Sequence, residues 1–220
     1  MTAHELITLL AQEGLKTLYM TFFGTLVAYI IGLPIGVSLV ITGPNGIKPA
    51  GLYNRAMGFI VNVIRSVPFL ILMIALIPYI RKVIGTGIGP KAITAALIVA
   101  AAPFVARLVE QSLLEVDPGV VEAAQAMGAS TFQIIWKVLL LEGRPSLING
   151  AIVAMINILG YSAMAGTLGG GGLGDIAIRY GLHRFQPSIM WITIVVLVVM
   201  VQVLQEIGIR IVANSDNRIN

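Results

Sequence analysis

An all-α fold that crosses a membrane several times is what this chain predicts, and three observations carry it. Of its 220 residues, 57% are hydrophobic and 11% are charged, whereas ordinary soluble domains are about a quarter charged. Its mean hydropathy is +0.93. Five stretches approach the roughly 20 apolar residues that a helix needs to cross a bilayer. Within hydrocarbon only helices and closed barrels satisfy their own backbone polar groups.

The same composition excludes several functions. No cysteine occurs, so disulfides and thiolate metal sites are ruled out. His4 and His183 are too far apart in sequence to suggest a metal cluster. The isoelectric point near 9.6 first suggests nucleic acid, but in so apolar a chain lipid headgroups and topology explain the basic residues better. Residues 1–14 contain Glu5 and Glu13 and no basic leader with a cleavage site, so no cleavable signal is expected. Leu6, Leu9 and Leu10 are expected to form a short interfacial helix there.

The expected crossings are about 15–41, 57–80, 92–108, 147–168 and 189–212, within a single membrane domain spanning 1–220. An odd number places the termini on opposite sides. The first crossing is interrupted by Gly32-Leu33-Pro34-Ile35-Gly36, which has the Gly-x-x-x-Gly spacing of close helix contacts. The second contains Arg65, in Asn62-Val63-Ile64-Arg65-Ser66-Val67-Pro68. A charge inside a membrane segment is a functional candidate. The bland alternative is an arginine whose stem snorkels to the headgroups.

Between the third and fourth crossings lies a polar loop whose local signals are orderly. Asp117-Pro118 reads as an N-cap followed by proline at the first helical position. Gly128 falls where that helix should stop. Ser130-Thr131-Phe132-Gln133 has the spacing of a capping box, so a second helix begins at once. Residues 117–141 are therefore a helix, a glycine elbow and a helix. The apolar side of this knob is expected to comprise Val121, Ala124, Met127, Phe132 and Ile135.

In the fourth crossing, Gly150, Ala154, Asn157, Tyr161 and Met164 recur at spacings of three and four and share one helix face. Lipid disfavours Asn157, so this face should meet protein or a water-filled route. Helix packing with one interhelical hydrogen bond is the plainer explanation. Asn157, Tyr161 and Met164 are the candidate pathway or gate residues.

The run Gly169-Gly170-Gly171-Gly172-Leu173-Gly174 satisfies G-x-G-x-x-G, but a dinucleotide site needs that run between a strand and a helix. Here it follows a membrane segment, and a tight backbone reversal explains it better. No Gly-Lys-Ser/Thr sequence occurs, so there is no Walker A loop. Asn62, Glu110 and Glu122 form no recognisable nucleophile–base–orienter set, and no enzyme activity is expected in this chain.

Glu122-Ala123-Ala124-x-x-x-Gly128, followed by Val138-x-Leu140, resembles the EAA loop of ABC importer permeases. That family usually has a proline after the leucine. This chain has Leu141, with Pro145 beyond it. Three further runs resemble the permease branch of bacterial methionine importers: Asn62 to Phe69, Ala101 to Arg107, and Gly160 to Gly166. So does the glycine run ending in Leu173-Gly174, and the similarity covers nearly the whole chain.

The resemblance implies an ATP-driven methionine importer that alternates access in the bacterial inner membrane. The permease would form a homodimer with two copies of a cytoplasmic ATPase, which binds the ATP and magnesium; no cofactor is expected in this chain. An extracytoplasmic methionine-binding protein would complete the system. Glu122, Ala123, Ala124, Met127 and Gly128 would couple the permease to the ATPase. The N-terminus would lie outside and the C-terminus in the cytoplasm.

With that topology seven basic residues fall inside and six outside, with Arg65 set aside, which favours the orientation only slightly. The outside acids would be Glu5, Glu13 and Asp175. Arg81, Lys82, Arg179 and Arg184 are then candidates for docking the binding protein. The rival readings are an importer permease for another small solute, and a membrane anchor or scaffold that transports nothing. A secondary transporter is a third, but it would show two corresponding halves.

Overall fold

A computed structural model describes residues 3–215, and among these every regular element is helical. Arg218, counted among the inside bases, lies outside the described residues. The first helix, α1 (Ala3–Thr42), is 40 residues long, about 60 Å at helical rise. It absorbs the separate interfacial helix expected at Leu6, Leu9 and Leu10. No residue near Gly14 breaks it, and those three leucines pack against buried Leu173, Ile176 and Ile189. Pro34 lies inside α1 without ending it.

The Gly-x-x-x-Gly spacing marks a close approach to α4 (Pro90–Leu114). A Cβ on Gly32 would come within 2.7 Å of the Val105 side chain, and one on Gly36 within 2.6 Å of the Ala106 carbonyl oxygen. Only glycine allows α1 to sit this near α4.

The crossing expected at 57–80 is made of two helices, α2 (Gly51–Ser66) and α3 (Phe69–Ile84). Pro68 has no N–H to donate, and its ring disfavours a helical Val67. The chain bends between them. Four described helices are long and apolar enough to span a membrane, or five if the bent pair counts as one. Arg65 therefore sits in the last turn of α2, beside the break.

The polar loop holds α5 (Pro118–Ala126), α6 (Thr131–Ile134), a π-helical stretch Ile135–Leu139 and α7 (Leu140–Glu142). Then come α8 (Arg144–Ala165), a 3₁₀ turn Gly166–Leu168, α9 (Leu173–Ile176), a π-helical stretch Ala177–Leu182 and α10 (Pro187–Ser215).

The chain forms two compact units. The first comprises Met1–Val27, Val67–Ala101 and Met155–Gln205. Its core includes Met20, Met73, Ile93, Leu97 and Ala165, all with no exposed surface. The second comprises Ala28–Ser66, Ala102–Ala154 and Glu206–Asn220. There Val105, Val109, Leu113, Ile134 and Leu139 are buried, and the Tyr29 hydroxyl donates to the Leu147 carbonyl at 2.7 Å.

The glycine run is a reversal clamped within the first unit. Gly169, Gly171 and Gly172 have φ of +75°, +71° and +84°, values that side chains resist. Glu13, only 6% exposed, accepts the Gly172 N–H at 2.6 Å and pairs with Lys16 at 2.7 Å. The Thr17 hydroxyl oxygen accepts the Leu173 N–H at 2.9 Å. Glu13 is therefore a buried clamp on the glycine run. Two amides that a phosphate would need are already occupied.

Replacing Glu13 with alanine would leave the buried Gly172 N–H without its acceptor, a loss of about 1–3 kcal/mol. The Glu13→Ala variant should unfold at a lower temperature in detergent. An unchanged midpoint would mean that the clamp contributes nothing.

Candidate functional site

The knob is held by local hydrogen bonds at each turn. Asp117 Oδ1 accepts the Gly119 N–H at 2.8 Å, with Pro118 at the first position of α5. At the other end Gly128 takes φ +79°. Its N–H donates to the Gln125 carbonyl, and the Ala129 N–H donates to Ala124. This is the paired bonding of a Schellman cap. Ser130 Oγ then accepts the Gln133 N–H at 3.3 Å, while Gln133 Oε1 accepts the Ser130 N–H at 2.8 Å. Both halves of the expected capping box are present. Beyond Leu141 the chain needs no proline to turn, since α7 passes through Gly143 directly into α8.

The apolar side of the knob divides differently from the expectation. Ala124 is buried, while Val121 and Ile135 are half-buried. Facing away are Met127 at 82% exposure, Phe132 at 69% and Trp136 at 56%. The Phe132 and Trp136 ring centroids are 6.0 Å apart, tilted by 51°. Trp136 is the i+4 neighbour of Phe132, which brings the two rings together on the exposed side. Met127, Phe132 and Trp136 are thus three large apolar side chains exposed on a polar loop. Ala123 is also exposed.

Glu122 lines a cleft of about 650 Å³ with Leu39, Val40, Leu113, Val116 and Gln125.

The face expected along α8 grades from buried to open. Gly150 and Ala154 are buried, Asn157 and Tyr161 are half-buried, and Met164 is 53% exposed. Tyr161 stacks on Phe69, centroids 3.9 Å apart and planes 13° apart, and packs against the Met20–Met73 core. Of the three gate candidates, Met164 is the most open.

The charged candidates occupy separate positions. The Arg65 guanidinium lies 5.9 Å from the centre of the Phe104 ring. Arg81 and Lys82 are exposed in the last turn of α3. Arg179 pairs with Asp175 at 2.8 Å and lies over Tyr180 at 5.1 Å. Arg184 lies over the same ring at 4.6 Å. Arg179 and Asp175 are thus paired with each other at the surface. Among the described residues no group of three histidine, aspartate or glutamate side chains is arranged to hold a metal.

The profile of the family described as binding-protein-dependent transport system inner membrane component matches residues 32–220. A probable D-methionine transport system permease protein, MetI, of Vibrio cholerae serotype O1 is 49% identical over 210 residues, covering 96% of this chain and 93% of the relative. The D-methionine transport system permease protein MetI of Escherichia coli K12 is 44% identical, covering 74% of this chain and 76% of the relative. A chain from inward-facing conformations of the MetNI methionine ABC transporter matches with a TM-score of 0.96 at 42% identity. That match covers 99% of this chain and 100% of the other. An amino acid ABC transporter crystallised with histidines matches at 0.73 and 19% identity, which speaks for the fold alone.

Proposed function

The chain belongs to the family of binding-protein-dependent transport system inner membrane components, and on that premise we propose that it is the permease subunit of an ATP-driven methionine importer. The observation that carries this reading is the end-to-end match to a chain of the MetNI methionine transporter, at 42% identity and a TM-score of 0.96. Relatives named for D-methionine transport support the same substrate.

Two copies of the permease form the route, and two copies of a cytoplasmic ATPase drive it. Because the chain has no Walker A loop, ATP and magnesium bind to that separate subunit. An extracytoplasmic methionine-binding protein delivers the substrate. The N-terminus lies outside and the C-terminus in the cytoplasm. Nucleotide binding favours one conformation of the ATPase pair, and only such a preference can shift the equilibrium. The capped knob passes the movement to the membrane helices, which rock as units. Its docking surface is Met127, Phe132 and Trp136, with Glu122, Ala123 and Ala124 shaping α5 and Gly128 the elbow behind it.

Arg81, Lys82 and Arg184 remain the basic residues available to the binding protein, while Arg179 serves mainly to hold Asp175 and Tyr180. The reading is tested by ATP hydrolysis in the reconstituted complex. Methionine-loaded binding protein should stimulate it, and an equal stimulation by binding protein loaded with an unrelated amino acid would reject methionine as the cargo.

Met164 is the gate of this route, since thioethers adapt to irregular surfaces with little strain. The chain has no cysteine of its own, so Met164→Cys can be probed directly. A water-soluble thiol reagent should react at a rate that changes with nucleotide. Labelling only by a membrane-confined probe, in every nucleotide state, would place this face against lipid.

A further inference from the structure

One stripe of α2 is polar. Arg55, Gly58, Asn62 and Arg65 follow one another at spacings of four and three, so they share a face. Exposed Leu52, Phe59 and Val63 occupy the adjoining face, which suits lipid. The stripe is organised by Arg107 of α4. Its guanidinium pairs with Glu110 and donates to the Gly58 carbonyl at 3.1 Å and to Asn62 Oδ1 at 3.0 Å. Arginine can only donate, so the Asn62 atom facing it is the oxygen. The Asn62 amide NH₂ is thereby turned away from Arg107 as a donor. One turn on, Arg65 is exposed, rests over Phe104, and has no carboxylate within ion-pair distance among the described residues.

A guanidinium facing hydrocarbon costs about 3 kcal/mol or more, so this edge of α2 suits a watery route better than lipid. Planar guanidinium donors match a two-oxygen anion. Asn62 and Arg65 together offer donors and an uncompensated positive charge. Resting on the methionine-importer reading, we infer that Asn62 and Arg65 receive the carboxylate of the amino acid in transit, with Arg107 positioning Asn62 and Arg55 the next basic step along the stripe. The carboxylate is the part of methionine that an apolar gate residue such as Met164 cannot accommodate without polar partners. A lipid phosphate shares this oxyanion chemistry and is the competing occupant.

The test uses Ser66→Cys in the complete transporter, sealed in vesicles. Ser66 is exposed beside Arg65, and its hydroxyl donates to the Asn62 carbonyl. Rates of modification by an anionic sulfonatoethyl and a cationic trimethylammonium methanethiosulfonate are compared. The anionic reagent should be favoured several-fold relative to its preference for a free thiol. Adding Arg65→Gln should abolish that preference, and adding Arg65→Lys should retain it.

Methionine should slow the reaction several-fold, whereas methioninol, which lacks the carboxylate, should not. Equal protection by methioninol, or a preference unaffected by Arg65→Gln, would overturn the inference. So would protection by phosphatidylglycerol vesicles, relative to phosphatidylcholine, in place of protection by methionine. Uptake of labelled methionine by the unsubstituted complex in the same vesicles tests the importer reading separately. Uptake without protection overturns the carboxylate site alone, and absence of uptake overturns both.

Discussion

Replacing Phe132 and Trp136 together with glutamate should abolish ATP-driven uptake while leaving the membrane helices folded. Both rings are more than half exposed, so the substitutions change little inside the chain itself. On the proposed docking surface the cost falls on the ATPase, which would have to bury two carboxylates in place of two rings. Large aromatic anchors are worth about 2–4 kcal/mol each at interfaces, and burying an unpaired charge adds several more. A loss of about 4 kcal/mol already weakens association about a thousand-fold. Co-purification of the ATPase with the doubly substituted permease should fail, while its thermal midpoint in detergent stays near that of the parent. A stable complex with coupled uptake would show that this face of the knob is not what transmits the movement.

The largest loss of stability is expected from Gly174→Ala. A Cβ there would lie 2.0 Å from the Ala163 carbonyl oxygen, and one on Gly166 would lie 2.3 Å from the Asp175 nitrogen. In both cases the obstacle is backbone, which has no rotamer to move aside. Overpacking costs about 1–3 kcal/mol, and more when the neighbour is rigid. In a chain of this size about 3 kcal/mol corresponds to a fall of about 6–12 °C in the unfolding midpoint. Gly160→Ala is the control, because Gly160 is helical in α8 and a Cβ there would meet nothing within 4 Å. That change should be neutral or stabilising by up to about 1 kcal/mol. Equal midpoints for the two variants would mean that the reversal at 166–174 relaxes without cost.

What was legible beforehand follows from the range of the interactions. The knob's boundaries could be read because Asp117, Gly128, Ser130 and Gln133 bond to backbone within five residues of themselves. The helical membrane fold could be read because hydropathy is a property of each stretch by itself. The break at Val67-Pro68 was visible as a proline, but it lies inside an apolar run whose length suggested one crossing. The Asp175–Arg179 pair has the i, i+4 spacing of helix ion pairs, a local signal that the sequence carries.

Other features had no local signal at all. Glu13 bonds to Gly172, 159 residues away, so nothing near Glu13 distinguishes a buried clamp from a surface acid. The Phe69–Tyr161 stack joins two distant helices in the same way. Spacing places Val121, Ala124, Met127, Phe132 and Ile135 among the knob's apolar residues. Which of them face the chain's own core is decided by the packing of α5 on the second unit, which a sequence pattern does not contain.

The most direct measurement is accumulation of labelled methionine in sealed vesicles that hold the permease, its ATPase and the binding protein. An importer permease should give accumulation that needs all three proteins and ATP, and that unlabelled methionine, but not an unrelated amino acid, competes away. Methionine entering vesicles that lack the ATPase, or ATP hydrolysed by the complete system with no methionine accumulated, would contradict it.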